Sequence, residues 1–275
     1  MHRRRMKRAR AAAALVAGWA FLGSAASTKP LSSPATLSPK VIHDNEAYPA
    51  GAYLAYIAPF NKGALIYDRD YTESITVDAA VFPAQSLFSW RWPDTPASAG
   101  VYGFSAIDFG DYNNTAVPTP IPARRVGQIR TLNETHDASF AGLLEGFDVI
   151  DDLFLTGAPD DNTTNLFEVE VFLHTPRYSA DYVRGTRRIG NFVGSGIIWT
   201  VAIDESAGHI PDILFMPHDR SDIGSGTVDL RAMLAYLVDA RVIPATVYFN
   251  GFAFGTETQR GAGEMRVTAF AASYE

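Results

Sequence analysis

Short apolar runs, each closed by a turn residue, are the feature of this sequence that most restricts its fold. The runs are GAYLAYIAPF, ESITVDAAVF, SLFSWRW, VYGFSAIDFG, FDVIDDLFLT, LFEVEVFLHT, GIIWTVAI, PDILFMPH, TVYFNGFAFG and EMRVTAFAAS. Their length, and the Gly, Pro, Asn and Asp residues between them, are typical of strands in stacked antiparallel sheets. With 275 residues, 47% of them hydrophobic, the chain can bury one sizeable core. We therefore expect a single all-β domain.

One segment departs from this pattern and predicts a single amphipathic helix. In TVDLRAMLAYLVDARVIP the apolar residues recur at helical spacing along one face. Thr227 or Asp229 can cap its start, and Pro244 follows its end. The residues of the face are Leu230, Met233, Leu234, Leu237 and Val238. We expect this helix to pack on a sheet through that face.

The N-terminal segment has the organisation of a secretory signal, over residues 1–26. A basic start, MHRRRMKRAR, precedes the apolar stretch AAAALVAGWAFLG and the small residues SAAS. That stretch is short for a transmembrane helix and no second one follows, which disfavours the alternative of a retained membrane anchor. Residues 27–40 are rich in Ser and Pro, as in a flexible leader. We expect a secreted or periplasmic protein, free of the membrane after signal removal, with its domain at residues 41–275.

Charge and side-chain chemistry exclude several classes of partner. The predicted signal holds six of the 23 basic residues and no acid, which leaves 17 basic and 30 acidic residues and a net charge near −13. A nucleic-acid binder needs a basic stripe, which this sequence lacks. The chain has no cysteine, and the spacing of His174, His209 and His218 pairs none of them on one face. We expect a neutral ligand, with no nucleic acid and no metal.

The segment TNLFEVEVFLHT places two carboxylates on one face of a predicted strand. Alternation puts Glu168, Glu170 and Phe172 on that face, and the aliphatic residues on the other face, which belongs to the core. Two adjacent carboxylates raise the pKa of at least one of them, which acid–base chemistry requires. The alternative is an edge strand with two surface glutamates, and this strand alone favours that alternative.

The segment FDVIDDLF repeats the arrangement. Asp148 and Asp152 share one face, and Phe147, Val149 and Leu153 share the other. Two such strands lying side by side would form an acid-lined groove, which is a more regular pattern than surface solubility produces.

A glycine-rich strand leads to a further glutamate, Glu257. Gly251, Ala253 and Gly255 are small, so they leave room for a ligand against the strand, and Glu257 can face that space. The alternative is a surface glutamate close to a turn.

The order of six segments carries a resemblance to a known family. They are SWRW, FDVIDDLF, LFEVEVFL, GSGIIWTVAI, DLRAMLAYLVDARVIPATVYF and FGTETQRGAGEMRVTAFAAS, between about Ser89 and Tyr274. Together they resemble glycoside hydrolase family 12, which contains endoglucanases and xyloglucanases. The resemblance implies a concanavalin-like β-jelly-roll, a sandwich of two antiparallel sheets with one helix. It also implies a retaining, endo-acting β-glucan hydrolase with an open cleft and no cofactor.

Matched position by position, the resemblance implies three catalytic residues. Glu168 falls in the slot of the family's nucleophile, and Glu257 falls in that of the general acid/base, at the end of Phe-Gly-Thr-Glu. Asp152 has the position of an aspartate that supports the nucleophile, and Asp148 has that of an active-site asparagine. A retaining glycosidase needs its two carboxyl groups about 5–5.5 Å apart.

The resemblance also implies substrate-binding residues, although the sequence departs from the family at some of them. Trp90, Trp92 and Trp199 match family tryptophans, whose rings stack on sugars, but each is equally consistent with a core residue. Glu170 and Phe172 stand where the family has methionine and tryptophan, and we count both as substrate-binding candidates. The expected partner is a β-glucan of the cellulose-like, mixed-linkage or xyloglucan type.

Two other classes of function stay open from the sequence. One is a catalytically inactive carbohydrate-binding β-sandwich, and the other is a structural exported β-protein. The presence of Glu168, Glu257 and Asp152 together favours the enzyme, because a binding module has no chemical use for all three. We expect the protein to act as a monomer.

Overall fold

The computed structural model describes residues 39–98, 100–113, 121–206 and 209–275. These residues lie in one compact unit, Leu37–Glu275. The predicted signal peptide and nearly all of the predicted leader fall outside the described residues. Among the helices of the described ranges, none has the length and apolar character needed to cross a membrane.

Strands dominate the described residues, and two α-helices accompany them. In chain order the strands are β1 (Lys40–Ile42), β2 (Ala47–Ala50), β3 (Tyr53–Ala58), β4 (Thr72–Val77), β5 (Ser86–Arg91), β6 (Gly103–Gly110), β7 (Arg124–Arg125), β8 (Leu132–Gly142), β9 (Phe147–Thr156), β10 (Asn165–His174), β11 (Arg187–Gly194), β12 (Ile197–Asp204), β13 (Asp212–Pro217), β14 (Ser225–Val228), β15 (Tyr248–Phe249), β16 (Gly251–Thr258) and β17 (Ala262–Tyr274). The helices are α1 (Arg177–Gly185) and α2 (Leu230–Asp239).

Two sheets pack face to face, as the sequence predicts. Over the described residues the smaller sheet has six strands, in the order β1-β4-β5-β17-β8-β14. The larger has eleven, with the path β11-β12-β13-β10-β9-β16-β6-β3-β2; the short strand β15 pairs with β9, and β7 pairs with β15. One neighbouring pair, β10 and β13, is parallel, which the expectation of two antiparallel sheets does not include. The chain between them passes through α1 and the β11–β12 hairpin, and a parallel pair needs a long crossover of this kind.

The core lies between the sheets and follows the predicted alternation. From the larger sheet, Val169, Val171 and Leu173 of β10 point into it, and from the smaller sheet Phe88 and Met265 meet them. All five are at most 1% exposed. The face of the larger sheet that is turned away from this core, which we call the outer face, is therefore free to carry polar groups.

The helix predicted from the apolar repeat is α2. Asp229 caps it, since its carboxylate accepts a hydrogen bond from the Ala232 N–H at 2.8 Å. Leu230, Met233 and Leu237 are buried against the sandwich, which confirms the predicted packing face.

The second helix, α1, is absent from the sequence prediction of a single helix. Its first turn is held by a distant group, because Glu145 accepts a hydrogen bond from the Arg177 N–H at 2.7 Å. Ala180 and Val183 pack in a second apolar cluster on the outer face of the larger sheet. The helix therefore covers part of the face that the sequence predicts to be an open cleft. The other members of the cluster are Phe104, Ala106, Tyr112, Ile150, Phe172, Ala202, Leu214, Met216 and Ala253.

Candidate active site

Four neighbouring strands, β13, β10, β9 and β16, place six carboxyl groups on the outer face. The period of two along each strand selects the residues, and the registers set them next to one another. The register pairs are Asp212 with Glu168, Glu170 with Asp152, and Asp148 with Glu257. The acid-lined groove expected from the sequence of β9 and β10 is therefore present, and it extends over two more strands.

A cavity of about 350 Å³ lies above these acids, and Glu168 and Glu257 both line it. Asp148, Glu170 and Asp212 line the same cavity. Glu170 occupies a level on the sheet between the other two glutamates, because its register partner lies between theirs on β9. The two glutamates predicted as a catalytic pair thus share one space that a ligand can enter.

The carboxyl groups raise one another's pKa, and the cavity offers no cation to offset this. Burial, followed by the charges of Asp152 and Asp212, raises the pKa of Glu168 to about 9. Burial, followed by Asp148 and Asp152, raises the pKa of Glu257 well above its ordinary value. No Lys, Arg or His is among the described residues that line the cavity. Protonated carboxyls are therefore present at neutral pH, as general acid catalysis requires.

Glu170 has the same electrostatic character. Burial raises its pKa well above the ordinary value, and the charges of Asp212, Glu257 and Glu168 raise it further, in that order. Within the described ranges, no protein group donates a hydrogen bond to the carboxyl groups of Glu168, Glu170 or Glu257. All three are available to a ligand.

Asp148 is held by a buried chain of hydrogen bonds. Ser179 of α1 donates to Asp148 Oδ2 at 2.7 Å, and Gln259 donates to Ser179 Oγ at 3.0 Å. Asp148 is only 2% exposed, and its Oδ1 has no hydrogen-bond partner among the described residues. Burial raises its pKa to about 7, although the bond from Ser179 opposes this shift. α1 thus fixes one carboxyl group of the cavity in place.

Asp212 shares a tyrosine hydroxyl with Asp204. The Tyr182 hydroxyl lies 3.0 Å from Oδ2 of each carboxyl group, yet a phenol has one proton to donate. Burial raises the pKa of Asp212 to about 7, whereas the hydrogen bond from Ser206 lowers the pKa of Asp204. The single Tyr182 proton is therefore shared between the two carboxyl groups, and the hydrogen bond that it gives Asp212 opposes the rise in the pKa of Asp212.

Asp152 lies below the cavity and does not line it. The residue is 4% exposed, and the Tyr112 hydroxyl donates a hydrogen bond to its Oδ2. Burial raises its pKa to about 7, against the effect of the Tyr112 bond. The position suits a group that acts on Glu168 electrostatically, as the charge of Asp152 does by raising the pKa of Glu168.

The tryptophans predicted to bind substrate lie in the core instead. Trp90, Trp92 and Trp199 are 4%, 3% and 0% exposed. Trp92 is stacked between Tyr71 and Tyr102, with ring centroids at 4.0 and 4.7 Å, and none of the three tryptophans lines the cavity. Trp90 in β5, Trp92 just after β5 and Trp199 in β12 all belong to the core cluster between the two sheets, so their predicted substrate-binding role is wrong. Phe172 is buried too, but it remains at the cavity floor.

Three other aromatic residues, which the sequence reasoning missed, form the rim of the cavity. Phe60, Tyr178 and Tyr182 are 58%, 53% and 38% exposed and line it from two sides. Tyr178 and Tyr182 are one helical turn apart on α1, so an amphipathic reading of RYSADYVRG as a helix would have found them. Rings in this position are the ones available for stacking on a sugar.

The small residues of β16 accommodate a neighbouring strand. A Cβ atom on Gly255 would lie 2.8 Å from the Cα of Ala106 in β6, which is closer than real contacts allow. The expectation that the small residues of β16 leave room for a ligand is thus wrong for Gly255. The close approach of β6 and β16 instead shapes the floor beside Glu257.

The acids of the described residues are not arranged as a metal site. Over the described residues, no group of three or more His, Cys, Asp or Glu side chains is arranged to hold one. Two of the histidines whose spacing disfavours a metal pair are hydrogen-bonded to other side chains: His174 contacts Asp222 at 2.8 Å and His218 contacts Thr200 at 3.1 Å.

Comparison with solved structures gives the fold a family context. Endoglucanase 3 of Trichoderma harzianum, from family GH12, is 20% identical, with 88% of this chain and 100% of that chain covered and a TM-score of 0.68. A family 12 xyloglucanase from Bacillus licheniformis is 14% identical over 87% of this chain and 100% of its own, with a TM-score of 0.70. The catalytic domain of Humicola grisea Cel12A, solved with a thio cellotetraose, is 16% identical over 86% and 99%, also with a TM-score of 0.70.

Comparison at the level of sequence gives no match. No protein-family model matches the chain, and no curated protein sequence matches it. The structural similarities therefore show that the chain has the jelly-roll fold of the family 12 glycoside hydrolases, and they confirm the resemblance predicted from the segments.

Proposed function

We propose that the protein is a retaining, endo-acting β-glucan hydrolase that uses Glu168 as nucleophile and Glu257 as general acid/base. The observation that carries the proposal is that both glutamates line one cavity, and no described residue donates a hydrogen bond to either carboxyl group. The fold supports it, since structures with this fold include endoglucanases and a xyloglucanase. Export as a secreted or periplasmic enzyme rests on the predicted signal sequence.

The reaction follows from the two carboxyl groups. Once Glu168 has lost its proton, its carboxylate attacks the anomeric carbon and forms a glycosyl ester while Glu257 gives its proton to the leaving glycosidic oxygen. Ionised Glu257 then takes a proton from water, whose oxygen attacks the anomeric carbon and releases Glu168 as a carboxylate. Two displacements return the sugar to its original anomeric configuration.

The surrounding residues supply positioning. Asp152, held by Tyr112, lies on the strand next to that of the nucleophile. Its charge helps to keep the pKa values of Glu168 and Glu257 different, and the three groups titrate as a coupled system. Asp148, held by Ser179, does the same beside Glu257. Phe60 and Tyr178 at the rim stack on glucose units bound on either side of the scissile bond.

The alternative of an inactive carbohydrate-binding sandwich fits the site less well. A binding module gains from rings and hydroxyl-pairing groups, but a cluster of carboxyl groups with raised pKa values costs stability and is typical of catalysis. Within the described part of the chain, neither Glu168 nor Glu257 forms a side-chain hydrogen bond or ion pair that would give it a structural role.

The experiment measures reducing ends released from carboxymethyl cellulose, mixed-linkage β-glucan, xyloglucan and xylan. We expect wild type to cleave at least one, and Glu168→Gln and Glu257→Gln to lose about 10³-fold or more in kcat. Glu264→Gln, an exposed acid on the smaller sheet, is the matched control and keeps full activity. Binding without release of reducing ends by wild type would establish the binding module instead, and full activity in either catalytic variant would overturn the assignment.

The stereochemistry is tested separately. Proton NMR of the first product formed shows the β anomer if the enzyme retains configuration, and the α anomer if it inverts. A fall in the viscosity of carboxymethyl cellulose that outpaces the release of reducing ends identifies endo action.

A further inference from the structure

The cavity carries more carboxyl groups than hydrolysis needs. Two carboxyl groups suffice for a retaining glycosidase, yet Asp148, Glu170 and Asp212 line the same space as the proposed pair. No basic side chain is among its described lining residues. Buried carboxyl groups are usually paired with cations, so three additional ones with no cation beside them in the lining need a reason.

Two of the additional acids have buried oxygens with no partner. Oδ1 of Asp148 and Oδ1 of Asp212 are both inaccessible to solvent, and no described group donates a hydrogen bond to either. Their other oxygens are fixed, by Ser179 at 2.7 Å and Tyr182 at 3.0 Å. The protein therefore orients these two carboxyl groups at the cavity and leaves one acceptor of each unused. The third, Glu170, accepts no hydrogen bond from any of the described side chains or backbone groups.

The ligand that these groups fit best is one that brings positive charge. A hydroxyl group of a neutral glucan can donate a hydrogen bond to a carboxylate but leaves its charge uncompensated, and a uronic acid would be repelled. An ammonium group donates up to three hydrogen bonds and also neutralises the charge. The exposed rings of Phe60 and Tyr178 at the rim attract a cation to their faces as well.

We propose that this cavity prefers a β-1,4-linked glucan bearing protonated amino groups, that is, a polymer of glucosamine, and that Glu170, Asp212 and Asp148 pair with its ammonium groups. The hydrolysis of such a chain rests on the proposed function, whereas its preferential binding does not. A bound ammonium group also assists the chemistry, because it stabilises the ionised form of Glu168 and so lowers the pKa that Asp152 and Asp212 raise.

Binding is measured first, with the full chain carrying Glu257→Gln so that no turnover occurs. Calorimetric titration at mildly acidic pH compares the hexasaccharide of glucosamine with cellohexaose. We expect the amino sugar to bind at least about tenfold more tightly, equivalent to about 1.4 kcal/mol, and this advantage to shrink at high NaCl concentration. Equal or weaker binding of the amino sugar overturns the proposal.

The residues are tested by adding Glu170→Gln or Asp212→Asn to that variant. Each replaces a carboxyl group that a bound ammonium group would ionise with an amide of similar shape, so each lowers the affinity for the glucosamine hexasaccharide by about tenfold and leaves the affinity for cellohexaose within about twofold. Glu264→Gln, added in the same way, changes neither. An equal loss for both sugars would show a structural role for these acids and overturn the assignment.

Turnover separates this proposal from the proposed function. If the protein cleaves cello-oligosaccharides but binds the glucosamine chain weakly, the proposed preference for amino sugars is rejected and the proposed hydrolase function is supported. Tight, salt-sensitive binding of the glucosamine chain without cleavage of either sugar supports the preference and rejects the hydrolase. Higher kcat/KM on the glucosamine chain than on the cello-oligosaccharide, lost in Asp212→Asn, supports both.

Discussion

Asp212 stands directly beside Glu168 in the parallel register of β13 and β10, and the two carboxyl groups line one cavity. The charge of Asp212 follows only burial and Asp152 among the causes that raise the pKa of Glu168 to about 9. Asp212 itself titrates earlier, since burial raises its pKa only to about 7. Glu168 thus ionises in the presence of a neighbour that is already negative.

Neutralising that neighbour shifts the acid limb of the activity profile. In Asp212→Asn no negative charge faces Glu168 from β13, so the pKa of Glu168 falls and the ionised nucleophile is present at lower pH. We expect the acid limb of kcat/KM on a neutral glucan to move down by about one pH unit. The measurement is the pH dependence of kcat/KM, and Asp222→Asn, outside the cavity, is the control. An acid limb that stays in place would mean that Asp212 and Glu168 are not coupled.

Replacing Glu170 affects the opposite limb. Its pKa is raised well above the ordinary value by burial and then by the charges of Asp212 and Glu257, so Glu170 and Glu257 titrate as a coupled pair. In Glu170→Met the pKa of Glu257 falls, and the alkaline limb of kcat/KM moves to lower pH while turnover persists. Glu170→Gln should behave alike, because the shift depends on charge and not on side-chain shape. Loss of turnover in both variants would instead assign Glu170 to the chemistry.

The parts of this site that the sequence predicts are those fixed by local periodicity. The period of two along β9 and β10 assigns Asp148, Asp152, Glu168 and Glu170 to one face whatever the neighbouring strands are. The 3.6-residue period and Asp229 do the same for α2. In each case the side chain's direction is set by residues adjacent in the chain.

The features of the site that the sequence does not predict depend on contacts between elements distant in the chain. Asp212 reaches Glu168 only through a parallel pairing that crosses α1 and a hairpin, and no local pattern marks that pairing. α1 is nine residues long and lacks a local cap, since Glu145 supplies it from another element. The sequence places Trp92 in the substrate cleft, and not in the core, because alternation along a strand defines two faces but not which of them meets the other sheet.

Substitution of an aromatic residue at the cavity rim should have a different effect from substitution of a buried tryptophan. Tyr178→Ala removes an exposed ring from the cavity, so we expect KM on the best glucan to rise by about five- to tenfold, equivalent to about 1 kcal/mol of stacking, with kcat and the midpoint of unfolding unchanged. Trp92→Ala removes a ring stacked between Tyr71 and Tyr102 and costs about 3–5 kcal/mol of stability. Kinetics and thermal unfolding of both variants check this. If Trp92→Ala instead keeps its stability and only its KM rises, Trp92 binds the sugar and is not a core residue.

Asp151 points to the opposite side of β9 from the catalytic acids and has no chemical use there. It is 0% exposed in the core, and neither carboxyl oxygen has a hydrogen-bond partner among the described residues. Burial, and then the charges of Glu134 and Asp152, raise its pKa well above the ordinary value. An acid whose pKa is higher in the folded than in the unfolded state destabilises the fold increasingly as pH rises above the unfolded value of about 3.9.

Removing the ionisation of Asp151 should therefore stabilise the protein, and more so at neutral than at acidic pH. Asp151→Asn keeps the shape of the side chain, so its effect isolates the charge. We expect the free energy of unfolding in urea to increase by about 1–3 kcal/mol at neutral pH and to change little below about pH 4, where the carboxyl group is protonated in both states. Asp137→Asn, an exposed acid on β8, is the control and should be neutral throughout. If Asp151→Asn is destabilised at neutral pH, the core stabilises the ionised carboxylate, and the pKa of Asp151 is lowered by folding and not raised.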